Sequence, residues 1–238
     1  SNYVKEDVIK HFDIPSDIPQ FTIYNGVPYL DASIEKEPNH LPPGLCQRQF
    51  FFAIGALLPK KNFLVLIDLM MELPQMGLVI AGVGSNEYRQ ELLLKIEKLS
   101  LRDRVYLVGS ITDADRVWYY KNMMALLHPS LLEGFGLPVV ESFSFGKPVF
   151  CSRLTSLPEV GGNLAFYFDG FEPKKMKAVI VDGLSKIENE SNFSDQAKAW
   201  ASHFSWVNSA KEYVKAYEAA FEFEKIKSHL ELQKHDTV

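Results

Sequence analysis

The sequence predicts an α/β fold, a Rossmann-like parallel sheet with helices on both faces. From Phe50 onward, short apolar runs alternate with longer amphipathic runs, a pattern typical of βαβ units. Two of the short runs, Leu78–Ala81 and Val105–Val108, are apolar or aromatic throughout, as expected of strands covered on both faces. A chain of 238 residues, 47% of them hydrophobic, is long enough for one such core.

The individual elements follow from this alternation. Strands are predicted at Phe51–Ala56, Gly77–Ala81, Val105–Val108, Ala125–His128, Pro148–Cys151 and Leu164–Phe168. Apolar residues recur at helical spacing between the strands, which predicts helices near 62–72, 86–99, 113–121, 137–145 and 173–187. Ahead of the sheet, a polar helix is expected at Val4–Phe12 and a strand at Phe21–Tyr24.

The chain divides into three parts. Residues 1–45 are interpreted as a linker and the remnant of an interdomain segment, because three prolines and several charges crowd the stretch from 35 to 44. Residues 46–204 form the predicted Rossmann-like domain. Residues 205–238 are expected to form a C-terminal packing helix and tail, since aromatic and small residues recur there at helical spacing. The absence of a starting Met leads us to expect further chain upstream.

Charge and cysteine content exclude several classes of function. The net charge of −5 argues against nucleic acid as a partner, because such domains carry a clustered basic face. Cys46 and Cys151 are far apart, and neither has a His or Cys neighbour at metal-ligand spacing, so neither a zinc site nor a disulfide framework is predicted. No other metal is expected, on the premise that the chain has no Asp-x-Asp triplet. No apolar run is long enough for a transmembrane segment and no signal peptide opens the chain, which favours a cytoplasmic protein.

The segment from His128 to Glu141 is the strongest candidate for a functional site. It runs from a strand end through a Gly-rich turn into a helix, and the free amides of such a helix start suit a phosphate or diphosphate. Glu133 and Glu141 would flank that anion and accept hydrogen bonds from the hydroxyls of a sugar and a ribose. The alternative is structural: Glu133 caps the helix and Glu141 is a favourable acid in its first turn.

Longer motifs in the same order along the chain indicate a family. They are Pro129-Ser-Leu-Leu-Glu-Gly-Phe-Gly-Leu-Pro-Val-Val-Glu-Ser142, Gly146-Lys-Pro-Val149, Ser156-Leu-Pro-Glu-Val-Gly161, Tyr24-Asn-Gly-Val27, Ile54-Gly-Ala-Leu-Leu-Pro-Lys-Lys-Asn62, Leu78-Val-Ile-Ala-Gly82 and Val105-Tyr-Leu-Val-Gly109. Over residues 20 to about 170, the chain resembles family 4 retaining glycosyltransferases. The resemblance implies the C-terminal, donor-binding half of a two-domain GT-B enzyme, with the acceptor domain outside this sequence.

The resemblance also implies roles for individual residues. Glu133 would hold the donor-sugar hydroxyls and Lys61 would neutralise the diphosphate, which makes these two the candidate catalytic residues. Lys60 could substitute for Lys61, and Glu141 would hold the ribose. The remaining donor contacts would come from Gly55, Gly82, Ile111, Gly134, Phe135, Gly136 and Leu137. Many family members have Arg at the position of Ala56, so one phosphate contact is expected to be missing or supplied elsewhere.

The predicted function is transfer of a sugar from a nucleoside diphosphate sugar to an acceptor hydroxyl with retention of configuration, in glycan or polysaccharide biosynthesis. No cofactor is expected. A glycan or lipid-linked acceptor would bind the other domain, with the whole protein peripheral at a membrane and this half inactive alone. The Pro-Lys-Lys-Asn loop resembles a subgroup that often transfers mannose. The open alternatives are a sugar-nucleotide epimerase or phosphorylase on the same scaffold, and a non-catalytic module that binds a nucleotide or a partner.

Overall fold

The computed structural model contains one sheet of six parallel strands with helices on both faces, which confirms the predicted fold class. The structure describes residues 1–15, 17–27, 30–34, 36–39 and 41–235, with side chains up to residue 225. The strands are β1 (Phe50–Ile54), β2 (Gly77–Ala81), β3 (Val105–Gly109), β4 (Ala125–His128), β5 (Val149–Ser152) and β6 (Phe166–Phe168). Their order is β3-β2-β1-β4-β5-β6, so β1 and β4 are neighbours at the centre.

Nine α-helices are assigned within the described residues. They are α1 (Asn2–His11), α2 (Leu64–Glu72), α3 (Asn86–Lys98), α4 (Asp113–Asn122), α5 (Leu137–Ser144), α6 (Leu157–Gly161), α7 (Pro173–Asn189), α8 (Phe193–Ser202) and α9 (Trp206–His235). None of these helices is long and apolar enough to cross a membrane.

The differences from the predicted elements have local causes. β1 ends at Ile54 rather than Ala56, because the chain leaves the ladder and pairs again only at Leu57 with Gly84. In the described part of the chain the run Phe21–Tyr24 has no strand partner, so the strand expected there is not formed. Helix α8 was not predicted, since small residues occupy much of its buried face.

The two faces of the sheet carry separate hydrophobic cores. Alternation along each strand divides the side chains, so that Phe52 and Leu126 point to one face and Phe51 and Leu127 to the other. Helices α4, α5, α6 and α8 cover the first face, and α2, α3 and α7 cover the second. On the first face Phe52 stacks on Tyr119 of α4 with ring centroids 5.1 Å apart. This packing fixes α4 and α5 over the carboxyl ends of the central strands.

The interpretation of residues 1–45 as a linker describes only part of what this segment does. Tyr24 packs its ring against Phe204, at a centroid distance of 5.7 Å, and Val27 donates a backbone hydrogen bond to the carbonyl of Phe204. Helix α1 begins at the carboxylate of Glu159, which accepts the amide of Asn2 at 2.8 Å. Glu159 therefore holds the first turn of a helix 157 residues upstream, whose N-cap is Ser1.

Helix α9 extends to His235, and positions 236–238 lie outside the described residues. It touches the domain near its start, where the Ser209 hydroxyl donates to the carbonyl of Tyr24 at 2.6 Å. The side chains of Tyr217 and Phe221 are exposed, more so than a packing helix predicts.

Candidate functional site

The loops after β1 and β4 meet at the carboxyl edge of the sheet. A single 3₁₀ turn, Pro59–Lys61, follows β1, and its Lys60 carbonyl accepts the amide of Leu131 at 2.8 Å. This contact ties the two loops together because β1 and β4 are adjacent in the sheet. Lys61 and Glu133, which are 72 residues apart in sequence, thereby form an ion pair. Carboxyl ends of parallel strands are where α/β sheets bind ligands.

Glu133 is held by three donors that all converge on one oxygen. Its Oε1 accepts hydrogen bonds from Lys61 Nζ, from His128 Nε2 at 2.8 Å and from Ser130 Oγ at 2.8 Å. The side chains of Lys61 and Glu133 are only 12% and 11% exposed. Among the described residues no donor reaches Oε2, so the other half of the carboxylate can accept from a ligand.

Burial raises the pKa of Glu133, but the hydrogen bonds and charges of His128 and Lys61 outweigh it. The net effect lowers the pKa of Glu133 from 4.5 to about 2. The carboxylate therefore stays ionised over the whole range of pH in which the protein would work. It can act as a hydrogen-bond acceptor and does not serve as a general acid.

A second layer of contacts fixes the loop that carries Glu133. The amide of Glu133 donates to Thr155 Oγ1 at 3.0 Å, and Ser156 Oγ donates to the carbonyls of Glu133 and Phe135. His128 is the last residue of β4. It is fully buried and its partner is the carboxylate, whereas its Nδ1 has no hydrogen-bond partner in the described part of the chain.

Helix α5 begins beside this pair with an open N-terminus. Its N-cap, Gly136, has φ 102°, and in the described part of the chain no side chain caps the helix. A Cβ at Gly136 would lie 2.8 Å from Leu157, so glycine is needed for space as well as for backbone angle. Glu133 is engaged elsewhere and is not the cap. The positive end of the helix dipole is thus available to an anion.

The other residues predicted around the phosphates are placed as follows. Phe135 packs its ring in the core, 6.1 Å from Tyr24, so only its backbone can face a ligand. Gly134 has open space around its Cα and Leu137 is half-buried, while Lys60 is exposed. No contact in the described residues tests whether these four residues bind phosphate, so that role stays a prediction.

Glu141 is buried and forms a separate cluster with α4. Only 3% of its surface is exposed. Tyr120 donates its hydroxyl to Oε2 at 2.7 Å and Arg116 donates to Oε1 at 3.3 Å. Burial and the nearby charge of Glu141 raise the pKa of Tyr120 well above its usual range, so this hydroxyl stays a donor. Arg116 was not predicted from the sequence, because nothing local links it to a residue 25 positions away.

Gly55 and Gly82 bring the ends of β1 and β2 into close contact. A Cβ at Gly82, where φ is 143°, would lie 1.9 Å from the carbonyl oxygen of Gly55. At Gly55 a Cβ would lie 3.3 Å from Lys61 Cε. The two glycines therefore let backbone pack on backbone beneath the Lys61 side chain.

Ile111 lines a cavity of about 340 Å³ between the first turn of α4 and residues 36–39. The polar residues Lys36, Asn39, Ser110, Thr112 and Asp115 also line it. The cavity lies beyond the end of β3, at the carboxyl edge of the sheet.

The premise of the metal-free prediction is wrong, because Asp113-Ala-Asp115 is an Asp-x-Asp triplet, whose oxygens are of the type that divalent cations prefer. In the structure both carboxylates are engaged. Asp115 forms a capping box with Thr112 at the start of α4, and Asp113 accepts from Arg116 at 2.6 Å.

Comparison with known proteins identifies the family. A model described as "Glycosyl transferases group 1" matches residues 43–200, which is more than half of the chain. The chain belongs to this family of glycosyl transferases. It is 26% identical over 226 residues to O-antigen chain mannosyltransferase B of Escherichia coli, covering 91% of this chain and 58% of that protein. The chain thus spans little more than half the length of this relative.

Solved structures share the fold. Sucrose-phosphate synthase of Thermosynechococcus elongatus superposes with a TM-score of 0.74 at 19% identity, over 93% of this chain and 57% of that one. HepE of Anabaena, solved in complex with UDP and glucose, gives a TM-score of 0.67 at 23% identity, over 74% of this chain and 50% of that one. The fold is that of a domain of the GT-B type, as the sequence resemblance implies.

Proposed function

We propose that the 238 residues form the donor-binding half of a retaining glycosyltransferase. The observation that carries this proposal is the meeting of the Lys61–Glu133 pair with the open N-terminus of α5 at the carboxyl edge of the sheet. A cation, a helix dipole and a half-free carboxylate in one place suit a ligand that is both anionic and rich in hydroxyls. A nucleoside diphosphate sugar has both properties.

In this proposal the diphosphate lies at the start of α5, where the amides of residues 134–137 and the ammonium groups of Lys60 and Lys61 stabilise it. Oε2 of Glu133 accepts a hydroxyl of the donor sugar, and Glu141 accepts a hydroxyl of the ribose. The base occupies the cavity at Ile111. Cleavage of the bond between sugar and phosphate leaves charge on the diphosphate, and these fixed cations and dipoles would stabilise it.

The finer points of the reaction are likewise proposals. Retention of configuration, a metal-independent reaction without a cofactor and an acceptor held by a second domain follow the family resemblance. The relative's greater length is consistent with that second domain. Because this relative is named as a mannosyltransferase of O-antigen chains, we propose mannose as the first sugar to test and a bacterial polysaccharide, free or lipid-linked, as the acceptor class. The membrane association of the whole protein stays a prediction.

The test is calorimetric titration of the chain with UDP, GDP, dTDP and ADP, followed by the same titrations with Lys61→Ala. Saturable binding of one nucleotide is expected, with a loss of roughly tenfold or more in the variant, since one charge-assisted contact is removed. The matched control is Lys175→Ala, a lysine in an exposed pair with Glu172 at the start of α7, which should bind as the wild type does. Binding that Lys61→Ala leaves unchanged would refute this site.

Glu133→Gln separates the sugar contact from the phosphate contact. The substitution frees Lys61 from its internal partner, so a nucleoside diphosphate without sugar should bind more tightly than to the wild type. In the wild type the matching nucleotide sugar should bind more tightly than the nucleoside diphosphate without sugar. The variant should lose this difference in affinity, because the ionised acceptor of the sugar hydroxyl is gone. Analysis of reaction products with a labelled donor then distinguishes transfer, which needs an acceptor, from epimerisation, which does not.

A further inference from the structure

Arg116 lies between an exposed acid and a buried one. One terminal nitrogen of its guanidinium donates to Asp113, whose side chain is 77% exposed, and the other donates to Glu141, whose side chain is 4% exposed. Its Nε is buried and has no hydrogen-bond partner in the described part of the chain. The side chain therefore reaches from the surface of α4 to a carboxylate in the interior.

The burial of Glu141 requires a cation. A buried carboxylate is stable only when it is paired and hydrogen-bonded. Tyr120 supplies a hydrogen bond but no charge, and Arg116 is the cation that contacts Glu141 among the described residues. The side chain of a helical residue tilts toward the N-terminus of its helix, so the Glu141 carboxylate points toward the first turn of α5. An unpaired negative charge there would repel a phosphate.

We propose that Arg116 is a positioning residue of the donor site, which holds Glu141 ionised and in a fixed orientation so that it can accept a ribose hydroxyl. The inference rests on the proposed function, because it assumes a nucleotide at the start of α5. Each carboxylate oxygen can accept two hydrogen bonds, and Arg116 and Tyr120 use one on each. Each oxygen of Glu141 therefore keeps one acceptor position for a ligand, and the contacts with α4 fix the direction of these positions. Arg116 acts through Glu141 and makes no contact with the ribose in this proposal.

The experiment measures how well the chain distinguishes a ribonucleotide from its deoxy forms. The probe is whichever of UDP, GDP and ADP binds the wild type most tightly, together with its 2′-deoxy and 3′-deoxy counterparts. The wild type should prefer the ribonucleotide over at least one of them by roughly tenfold or more, the effect of a hydrogen bond to a charged acceptor. Arg116→Met and Glu141→Gln should each lower the ratio of ribonucleotide to deoxynucleotide affinity to about twofold or less. The double variant should show no further decrease in this ratio.

A merely structural role for Arg116 would weaken the ribonucleotide and its deoxy forms alike and leave their ratio unchanged, and that result would overturn the inference. Arg102→Met, which alters an exposed arginine paired with Glu97, is the matched control and should keep the wild-type ratio. If circular dichroism shows that Arg116→Met does not fold, Arg116→Gln, which is shorter but polar and uncharged, is judged by the same ratio. Failure of the wild type to bind any of the three nucleotides would instead overturn the donor site itself.

Discussion

The charge of Glu133 should make the stability of this protein depend on pH in a defined window. Its pKa is lowered from 4.5 to about 2 in the folded chain. A carboxyl whose pKa is lower when folded stabilises the fold above its unfolded pKa and loses that contribution as pH falls toward the folded one. The window therefore runs from about pH 5 to pH 2. A shift of this size corresponds to about 3 kcal/mol in total.

Part of this contribution can be measured before the rest of the protein unfolds in acid. At pH 3.5 the loss from this one group, relative to pH 7, amounts to about 1 kcal/mol. The assay is urea unfolding of the wild type and Glu133→Gln at pH 7, 4.5 and 3.5. The variant should be destabilised at pH 7, because Lys61 loses its buried counter-ion. Its disadvantage should shrink by about 1 kcal/mol at pH 3.5, since the variant has no carboxyl to protonate.

Glu97→Gln is the control for general effects of removing a carboxylate. Glu97 forms an exposed pair with Arg102, and its loss should change the free energy of unfolding by less than about 0.5 kcal/mol at every pH. The reasoning is refuted if the difference between the wild type and Glu133→Gln is the same at pH 7 and pH 3.5. That result would mean that His128, Ser130 and Lys61 do not favour the ionised form of Glu133.

Two further predictions concern the support of the site. Gly82→Ala should cost more than about 3 kcal/mol in urea unfolding, because its Cβ would overlap the carbonyl of Gly55, whereas Gly109→Ala, with φ 71° and open space, should cost only about 1–2 kcal/mol. Equal losses would show that backbone angle, and not the contact with Gly55, is what Gly82 supplies. Glu159→Gln should speed amide hydrogen exchange in α1 while global stability changes by less than about 1 kcal/mol, because α1 has no buried residue. Unchanged exchange in α1 would contradict this role of Glu159.

The sheet could be predicted from the sequence because each buried parallel strand is a short apolar run. Gly77–Ala81 and Ala125–His128 have the predicted bounds in the structure. Elements with a weaker hydrophobic pattern were missed or predicted wrongly. Phe193, Ala197 and Ala201 form the buried face of α8, and two alanines give little hydrophobic contrast with their neighbours. Phe21–Tyr24 has the composition of a strand, but composition does not supply a pairing partner.

The candidate site was predicted as a set of positions, and its pairings came only from the structure. Glu133 was singled out from the Gly-rich turn after a strand and Lys61 from the family resemblance, yet their ion pair depends on β1 and β4 being neighbours. The partnership of Arg116 with Glu141 has the same origin, since α4 and α5 pack on one face of the sheet. Such contacts join residues from 25 to 72 positions apart, and local patterns carry no information about them.

The pairings have a consequence for how a donor would bind. Glu133 lies just before α5 and Glu141 lies within it. Each of these acids is paired with its own cation, Lys61 for Glu133 and Arg116 for Glu141, so the charges of the two pairs cancel. A diphosphate would then be attracted mainly by the helix dipole and by the exposed Lys60. Lys61 can also contribute, because its ammonium group has three N–H donors and one of them serves Glu133, which leaves donors for a phosphate oxygen. Lys61 would then bridge the carboxylate and the diphosphate, and Oε2 of Glu133 would stay available to the sugar, because Lys61, His128 and Ser130 all contact Oε1.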